Sequence, residues 1–402
     1  MENTMTNLPQ GWEVKKLEEI ANIKGGKRLP KGENLLDSNT KFAYIRVADF
    51  QDNGTINLQN IKFINENTYN VLKNYKIYDD NLYISIAGTI GKSGIIPKEL
   101  NGAILTENAV KLEYIQNNIS NKFMYFFTLS NIFKTQIQTS TKIVAQPKLA
   151  ITRLKQIQIP LPPLKEQERI VGILDESFAK IDESIKILEQ DLLNLDELMQ
   201  SALQKAFNPL KDNAKENYKL PQSWEWKSLE EISENISAGG DKPKNCTESK
   251  TAKNQIPVYA NGVNNNGLVG YTDKATIIKP SLTISARGTI GFVCIRKEPY
   301  FPIVRLISLI PCENILCLHY LYFCLNFFIA KGEGSSIPQL TIPKFKSLQI
   351  PLPPLKEQEQ IAEHLDFVFE KAKALKELYT KELKDYEELK QSLLDKAFKG
   401  EL

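Results

Sequence analysis

The feature that most constrains the fold of this chain is an internal duplication. Residues 157–168 read IQIPLPPLKEQE, and LQIPLPPLKEQE returns 191 positions later at residues 348–359. Three further pairs of segments match: LQKAF at 203–207 with LDKAF at 394–398, LPQGWE at 8–13 with LPQSWE at 220–225, and SIAGTIG at 85–91 with SARGTIG at 285–291. The order of these landmarks predicts two modules built to one plan.

Between the landmarks the two halves diverge strongly in sequence. A duplication that served only to stack a core would keep the spacers as similar as the landmarks. Here the frame is kept while the contents change, which favours two modules that present different contact surfaces. Ordinary drift of loop sequences between repeats is the alternative, and it stays open at this point.

The formal net charge of +3 conceals an uneven distribution. Segments 164–207 and 355–398 together hold 13 Lys and Arg against 21 Asp and Glu, a net charge of −8, which leaves +11 for the rest of the chain. We attribute the acidic surfaces to solvation. The basic remainder fits an anionic partner such as DNA.

Each proline-rich landmark is followed by a predicted long helix. Pro162-Pro163 and Pro353-Pro354 end an extended segment, and apolar residues then recur at alternating steps of four and three, which is a heptad pattern. A helix of about 44 residues is roughly 66 Å long. Because each apolar stripe needs a partner, we expect the two helices to pack against each other, antiparallel, with one module at each end.

Composition excludes several classes of protein. The 402 residues are 42% hydrophobic and 25% charged, as in a soluble globular protein of more than one domain. The start of the chain has no signal-peptide core, and no run is long enough to span a membrane, so we expect a cytoplasmic protein without a membrane partner. The five cysteines are expected to be reduced thiols. Cys312, Cys317, His319 and Cys324 lack a CxxC pair, which favours core packing over a metal site.

The order of basic module, PLPPLKEQE and long helix, repeated once, resembles the specificity subunit of type I restriction–modification systems over essentially the whole chain. The resemblance implies a mixed α/β fold, with two α/β target-recognition domains separated by two long antiparallel coiled-coil helices and related by a pseudo-two-fold repeat. We assign residues 1–160 to the first recognition domain and 161–209 to the first helix. Residues 210–351 form the second domain and 352–402 the second helix.

The resemblance also implies a function and partners. Each domain reads one half of a bipartite site in double-stranded DNA, and the chain assembles with two methylating subunits and with restriction (translocase) subunits. Methylation of adenine N6 uses S-adenosylmethionine held by the methylating partner, while ATP and Mg belong to the restriction partner. No cofactor and no metal is expected in this chain.

The residues themselves agree with a chain that is not an enzyme. We find no Asn/Asp-Pro-Pro-aromatic motif, no GxxxxGK[ST] phosphate loop and no GxGxxG that opens a helix. Neither His319 nor His364 has a nucleophile pattern nearby, so no catalytic residue is assigned. Two alternatives stay open: a self-sufficient DNA methyltransferase or restriction enzyme, and a coiled-coil scaffold whose modules bind proteins.

Candidate DNA contacts are cations, amides and glycine-rich turns, because these groups read base edges or approach phosphates closely. In the first module they are Lys27, Arg28, Arg46, Gly88, Thr89, Lys92, Lys142 and Gln146. In the second they are Lys242, Lys244, Asn261, Asn264, Arg287, Gly288, Thr289, Ser336 and Gln339. Arg287 is the first choice, since it stands where the other half has Ala87. The shared Gly-Thr-Ile-Gly could equally form only a tight connection between strands.

Overall fold

A computed structural model of the protein describes residues 8–38, 40–140, 148–207, 220–329, 332–333 and 340–402. Along the chain, each group of short strands and helices is followed by one long helix. The chain divides into two units. The first comprises residues 1–188 and 381–402, and the second comprises 189–380. Each unit thus contains one recognition domain together with one end of each long helix.

In its described residues the first unit contains ten strands and the helices between them. The strands are β1 (Glu13–Lys16), β2 (Ala21–Gly25), β3 (Ala43–Ile45), β4 (Lys62–Phe63), β5 (Lys76–Ile77), β6 (Leu82–Ser85), β7 (Ser93–Ile95), β8 (Ala103–Leu105), β9 (Ala109–Tyr114) and β10 (Gln158–Leu161). The helices are α1 (Leu17–Ile20), α2 (Glu66–Val71), α3 (Asn121–Leu129), α4 (Asn131–Ser140) and α5 (Ile151–Leu154), followed by the start of α6 (Leu164–Phe207).

The second unit repeats this order with changes in the middle. Its strands are β11 (Glu225–Ser228), β12 (Ser233–Ala238), β13 (Ile256–Tyr259), β14 (Leu268–Thr272), β15 (Ser281–Ile284), β16 (Thr289–Ile290), β17 (Val293–Arg296), β18 (Phe301–Pro302), β19 (Ile307–Pro311), β20 (Gly332–Glu333) and β21 (Gln349–Leu352). Its helices are α7 (Leu229–Ile232), α8 (Leu318–Phe328) and α9 (Ile342–Lys346), followed by the start of α10 (Leu355–Lys399).

One four-stranded antiparallel sheet has the same plan in both units. Its strand order is β2-β9-β6-β7 in the first and β12-β19-β15-β17 in the second. A further sheet has the order β4-β3-β8-β5 in the first unit but only β14-β13-β18 in the second. Two-stranded ladders, β1 with β10 and β11 with β21, close the domains next to the long helices. The common sheet is the frame that the duplicated landmarks encode.

The duplicated glutamine explains why the PLPPLKEQE landmark is kept. Gln167 is almost fully buried, accepts a hydrogen bond from Ser120 N at 2.8 Å and donates to Asn118 O and Pro162 O at 3.1 and 2.9 Å. Gln358 makes the same three bonds, with Cys317 N at 2.8 Å and with Ile315 O and Pro353 O at 2.9 and 2.8 Å. Each glutamine therefore ties the start of a long helix to the start of the aromatic helix α3 or α8.

The ends of the long helices also carry a duplicated contact. Phe398, in α10, lies in the core of the first unit with its ring centroid 5.1 Å from that of Phe123 and 5.5 Å from that of Phe127. Phe207, in α6, lies in the core of the second unit, 5.5 Å from Tyr320 between centroids. The LxKAF landmark is thus the point at which a helix end enters the core of a recognition domain.

Within each unit the two long helices run antiparallel. In the first unit Arg169, near the start of α6, donates to the carbonyl of Leu402 at 2.7 Å, and Asp182 pairs with Lys390. In the second unit Asp196 pairs with Lys376, and Leu203 shares a core with Leu365. The prediction of two α/β domains with two long antiparallel helices is confirmed.

Among the described residues, no helix is long and apolar enough to cross a membrane.

Candidate nucleic-acid interface

The Gly-Thr-Ile-Gly landmark forms the same hairpin loop in both domains. Between β6 and β7, Ser85 N donates to Lys92 O at 2.8 Å and Gly91 N donates to Ser85 O at 2.9 Å. Between β15 and β17, Ser285 N donates to Phe292 O at 2.9 Å and Gly291 N to Ser285 O at 3.0 Å. The landmark is therefore a tight strand connection, and contact with DNA at its tip stays a prediction.

The tips of these loops differ in the side chains that they expose. Gly88 and Gly288 have φ values of +75° and +69° with open space around the Cα, so glycine fits this left-handed position without strain. Thr89 is exposed in the first loop, whereas Arg287 is exposed in the second. Thr289 is half-buried, and its Oγ1 has no hydrogen-bond partner among the described residues.

Lys92 and the residue in its place, Phe292, also separate the two loops. The ammonium of Lys92 lies 2.8 Å from a carboxylate oxygen of Asp52, which is itself fully open to solvent. The Lys92 side chain is 25% exposed, and an exchange of Asp52 for a DNA phosphate stays a prediction. Phe292 offers no such charge, so the two hairpins differ in electrostatics as well as in shape.

Lys27 and Arg28 follow strand β2 and are both exposed. Arg28 Nε lies 2.6 Å from Glu107 Oε1, and the Lys27 ammonium lies 5.9 Å from the ring centroid of Tyr75. Partial burial is the largest single influence and works to raise the pKa of Glu107, but the hydrogen bonds from Arg28, Thr106 and the main chain, with the charge of Arg28, together lower the pKa. Glu107 thus remains ionised as the internal counter-charge of Arg28.

Arg46 is bound inside the first domain. Its Nε and Nη2 bond to the two carboxylate oxygens of the buried Asp49 at 3.0 and 2.5 Å, and Nη2 also donates to Asn60 O at 3.0 Å. The hydrogen bond to Asp49 raises the pKa of the guanidinium further. These bonds favour a role in bracing the segment after β3 rather than in reading bases.

Asn261 is likewise engaged at both ends of its amide. Oδ1 accepts from Ala286 N at 2.8 Å, and Nδ2 donates to Val304 O at 2.6 Å. Because both polar atoms of the amide already bond within the domain, the geometry favours a positioning role for this residue. Lys242, Lys244 and Asn264 are exposed in the loops of the same domain.

Four of the predicted contacts lie outside the described residues: Lys142, Gln146, Ser336 and Gln339.

Two arginines of the second domain were missed from the sequence. Arg296 is buried, bonds to Thr283 Oγ1 at 3.0 Å and to Asn266 O at 2.5 Å, and lies 3.5 Å from the ring centroid of Tyr259. It holds the loop that contains Asn264. Arg305 is exposed on a turn with positive φ. Neither is marked by periodicity or by the repeat, because both depend on contacts between distant segments.

The cysteines of the second domain are all free thiols, and no cluster of His, Cys, Asp and Glu suited to a metal ion occurs among the described residues. Cys324 is fully buried on α8, and burial raises its pKa well above the usual value of a thiol. Such a thiol is protonated and unreactive at neutral pH, which suits the core packing expected from the sequence.

Two domains of one plan, with Lys92 on the first hairpin, Arg287 on the second and exposed cations on adjacent loops, have the features of a duplicated DNA-recognition protein. The family model "Type I restriction modification DNA specificity domain" matches residues 9–192 and again 221–384. The chain therefore belongs to the family of type I specificity subunits, and the resemblance recognised from its motifs is confirmed.

Relatives and solved structures agree with this assignment. A putative type I specificity subunit of Mycoplasma pneumoniae is 29% identical over 357 residues, which is 87% of each chain. The EcoBI specificity subunit of Escherichia coli is 29% identical over 212 residues, 52% of this chain and 43% of its own. A chain from a solved type I restriction–modification system superposes with a TM-score of 0.80 at 21% identity, covering 98% of this chain and all of that one.

Proposed function

We propose that this specificity subunit reads a bipartite DNA site, with one half recognised by each domain, and that it has no catalytic activity of its own. The observation that carries the proposal is the pair of hairpins that are closed by the same main-chain bonds at Ser85 and Ser285 but carry different side chains: Ala87 and Lys92 in the first, Arg287 and Phe292 in the second. A shared frame with different exposed groups is what two readers of different sequences require.

The methyl transfer is assigned to partner subunits. Two methylating subunits supply S-adenosylmethionine and methylate adenine N6, and the restriction subunits supply ATP- and Mg-dependent translocation and cleavage. The lack of an Asn/Asp-Pro-Pro-aromatic motif and of a phosphate loop in the sequence supports this division of labour. The cationic loops of the described residues point to DNA rather than to a protein ligand, which makes a pure scaffold the weaker alternative.

The test is a methylation map. The chain is co-expressed with its methylating subunits in a host that lacks adenine methylation, and modified adenines are located by sequencing. We expect one split motif with an unspecified gap, and no modification when the chain is expressed alone. Modification by the chain alone, or a continuous motif, would contradict the proposal.

The long helices supply a surface for the partners. Leu193 and Leu198 of α6 and Leu378 of α10 are each more than half exposed in the second unit, and Ile187 is so in the first. We propose that these exposed apolar side chains contribute to the contact with a methylating subunit. Leu198→Glu combined with Leu378→Glu should reduce co-purification of the methylating subunits at least tenfold. Gln200→Glu, which adds charge to a neighbouring exposed polar position, should leave it unchanged.

The helices also join the two domains along the chain, so their length should set the gap in the target. One extra heptad in each helix preserves the apolar pattern and adds about 10 Å, or about three base pairs at 3.4 Å each. The methylated motif should keep both halves and gain a longer gap. An unchanged gap would show that the length of the helices does not determine the spacing of the two half-sites.

A further inference from the structure

The second domain contains a backbone turn that is strained and exposed. Val304 and Arg305 have φ values of +53° and +60°, and among the described residues only Asn265 and Asn266 share such values without being glycine. A β-branched valine in this region is an outlier, because its side chain crowds the neighbouring carbonyl. Strain of this kind persists where surrounding contacts impose it and is concentrated at functional sites.

Three hydrogen bonds impose the conformation. Val304 N donates to Gly240 O and Arg305 N to Gly239 O, each at 2.8 Å, and Asn261 Nδ2 donates to Val304 O at 2.6 Å. A Cβ on Gly239 would lie 2.6 Å from Ile303 N, so this position accepts only glycine at such close approach. The turn is therefore a fixed feature and not a loosely held loop.

The first domain has an equivalent turn in which no residue other than glycine has a positive φ, and two main-chain hydrogen bonds identify it. Thr106 N donates to Ile45 O and Ala109 O accepts from Gly26 N, just as Ile303 N donates to Tyr259 O and Leu306 O accepts from Gly239 N. Residues 106–109 and 303–306 are therefore equivalent, and Asn108 occupies the place of Arg305.

The two turns are held by different acceptors. In the first domain Ile86 N, at the start of the hairpin loop, donates to the main-chain carbonyl of Asn108 at 2.8 Å. In the second domain the equivalent Ala286 N donates to the side chain of Asn261 instead, also at 2.8 Å. Asn261 thus replaces a main-chain acceptor and holds the turn of Arg305 next to the hairpin of Arg287.

The side chain of Arg305 has the exposure and the surroundings of a DNA contact. It makes no hydrogen bond or ion pair with any other residue that the structure describes, and it is exposed. Gly240, bonded to Val304 N, leads directly into the exposed residues Asp241, Lys242 and Lys244. The planar guanidinium can bond both O6 and N7 of a guanine in the major groove through two N–H groups of fixed geometry, which the flexible point charge of a lysine does not provide.

We infer that Arg305 reads a base, with guanine as the preferred partner, in the half-site of the second domain, and that Asn261 is its positioning residue. The inference rests on the proposed function and adds to it the group that distinguishes one base. The strained turn is retained because it presents this arginine, whereas the first domain, with Asn108 at the same place, reads differently.

The experiment maps methylated adenines on a randomised DNA library with the complete methylating complex. Arg305→Gly, Arg305→Lys and Asn261→Ala are compared with Lys279→Ala, which removes a cation paired with Glu234 at the other end of the sheet. Arg305→Gly should unfold at no lower temperature than the wild type, because glycine tolerates positive φ. All three test variants should lose discrimination at one and the same position by about tenfold or more, with the first half-site unchanged.

Three results would overturn the inference. The first is an unchanged motif in Arg305→Gly, and the second is an equal loss at every position accompanied by a weaker salt dependence, which marks a phosphate contact. Retention of full discrimination by Arg305→Lys would also contradict a two-bond contact with guanine. If the wild-type complex itself yields no split motif, the proposed function fails instead, and the two failures are thereby distinguished.

Discussion

The two recognition domains share the buried hydrogen bonds that hold their frame, and they differ in the side chains that they expose. Gln167 and Gln358 make the same three hydrogen bonds, and the two hairpins have the same main-chain pattern. The domains differ in the second sheet, which is β4-β3-β8-β5 in one and β14-β13-β18 in the other, in the turn at 106–109 against 303–306, and in the cations around the hairpin. The comparison teaches that the duplicated segments encode the frame, and we expect target selection to depend on residues that the duplication does not preserve.

The largest effect is expected from the phenylalanines that end the LxKAF landmarks. Phe398→Ala removes a buried ring from the first unit and Phe207→Ala one from the second, at a cost of about 3–5 kcal/mol each. Hydrogen exchange measured by domain should show that Phe398→Ala loosens the first domain and Phe207→Ala the second. Lys399→Ala, at an exposed neighbour, is the control and should alter neither domain. If one variant increased hydrogen exchange in both domains, the two units would not be independent of each other in stability.

The frame was predictable because its signals are local and duplicated. The proline pairs and the heptad pattern predicted the two long helices, and the repeat predicted two domains of one plan. The role of Gln167 was not predictable, because its partners Asn118 and Ser120 lie almost 50 residues away in sequence.

The candidate site was harder to predict than the frame. Arg46 and Asn261 look like DNA contacts in the sequence, yet both are bonded within their domains. Arg305 carries no sequence signal, because its left-handed backbone follows from hydrogen bonds to Gly239, Gly240 and Asn261. Residue type suggests which side chains can read DNA, but only tertiary contacts decide which of them are left to do so.

The next effect concerns the buried glutamines. Gln167→Leu keeps the volume but leaves Ser120 N and two carbonyls without a partner, which should lower the free energy of unfolding by about 2–3 kcal/mol. Gln358→Leu should have an equal effect in the second unit. Denaturant unfolding of each variant measures this, and Glu168→Ala or Glu359→Ala, at the exposed next position, should change it by less than about 0.5 kcal/mol. Unequal losses for the two glutamines would show that the frames are not equivalent.

A smaller effect tests the difference between the hairpins. Arg287→Ala gives the second hairpin the residue of the first, and methylation of sites that match the second half-site should fall about tenfold, or about 1.4 kcal/mol. Methylation rates on substrates mutated in one half-site at a time separate the two domains. The reciprocal Ala87→Arg should affect only the first half-site. Equal loss at both half-sites in Arg287→Ala would indicate misfolding or a general charge effect.

The smallest effect is expected at the tips of the hairpins. Gly88→Ala and Gly288→Ala place a Cβ in open space, so only the positive φ opposes the substitution. The left-handed backbone disfavours alanine, although the smaller entropy of the unfolded chain offsets part of the cost, which leaves about 1 kcal/mol. Thermal unfolding should show the same small decrease for both variants, because Gly88 and Gly288 have similar positive φ values and open space where the Cβ would lie. A much larger decrease in the unfolding temperature of one variant would mean that its loop tip is held by contacts that the other loop lacks. The two hairpins would then be alike only in the strands that flank the loop.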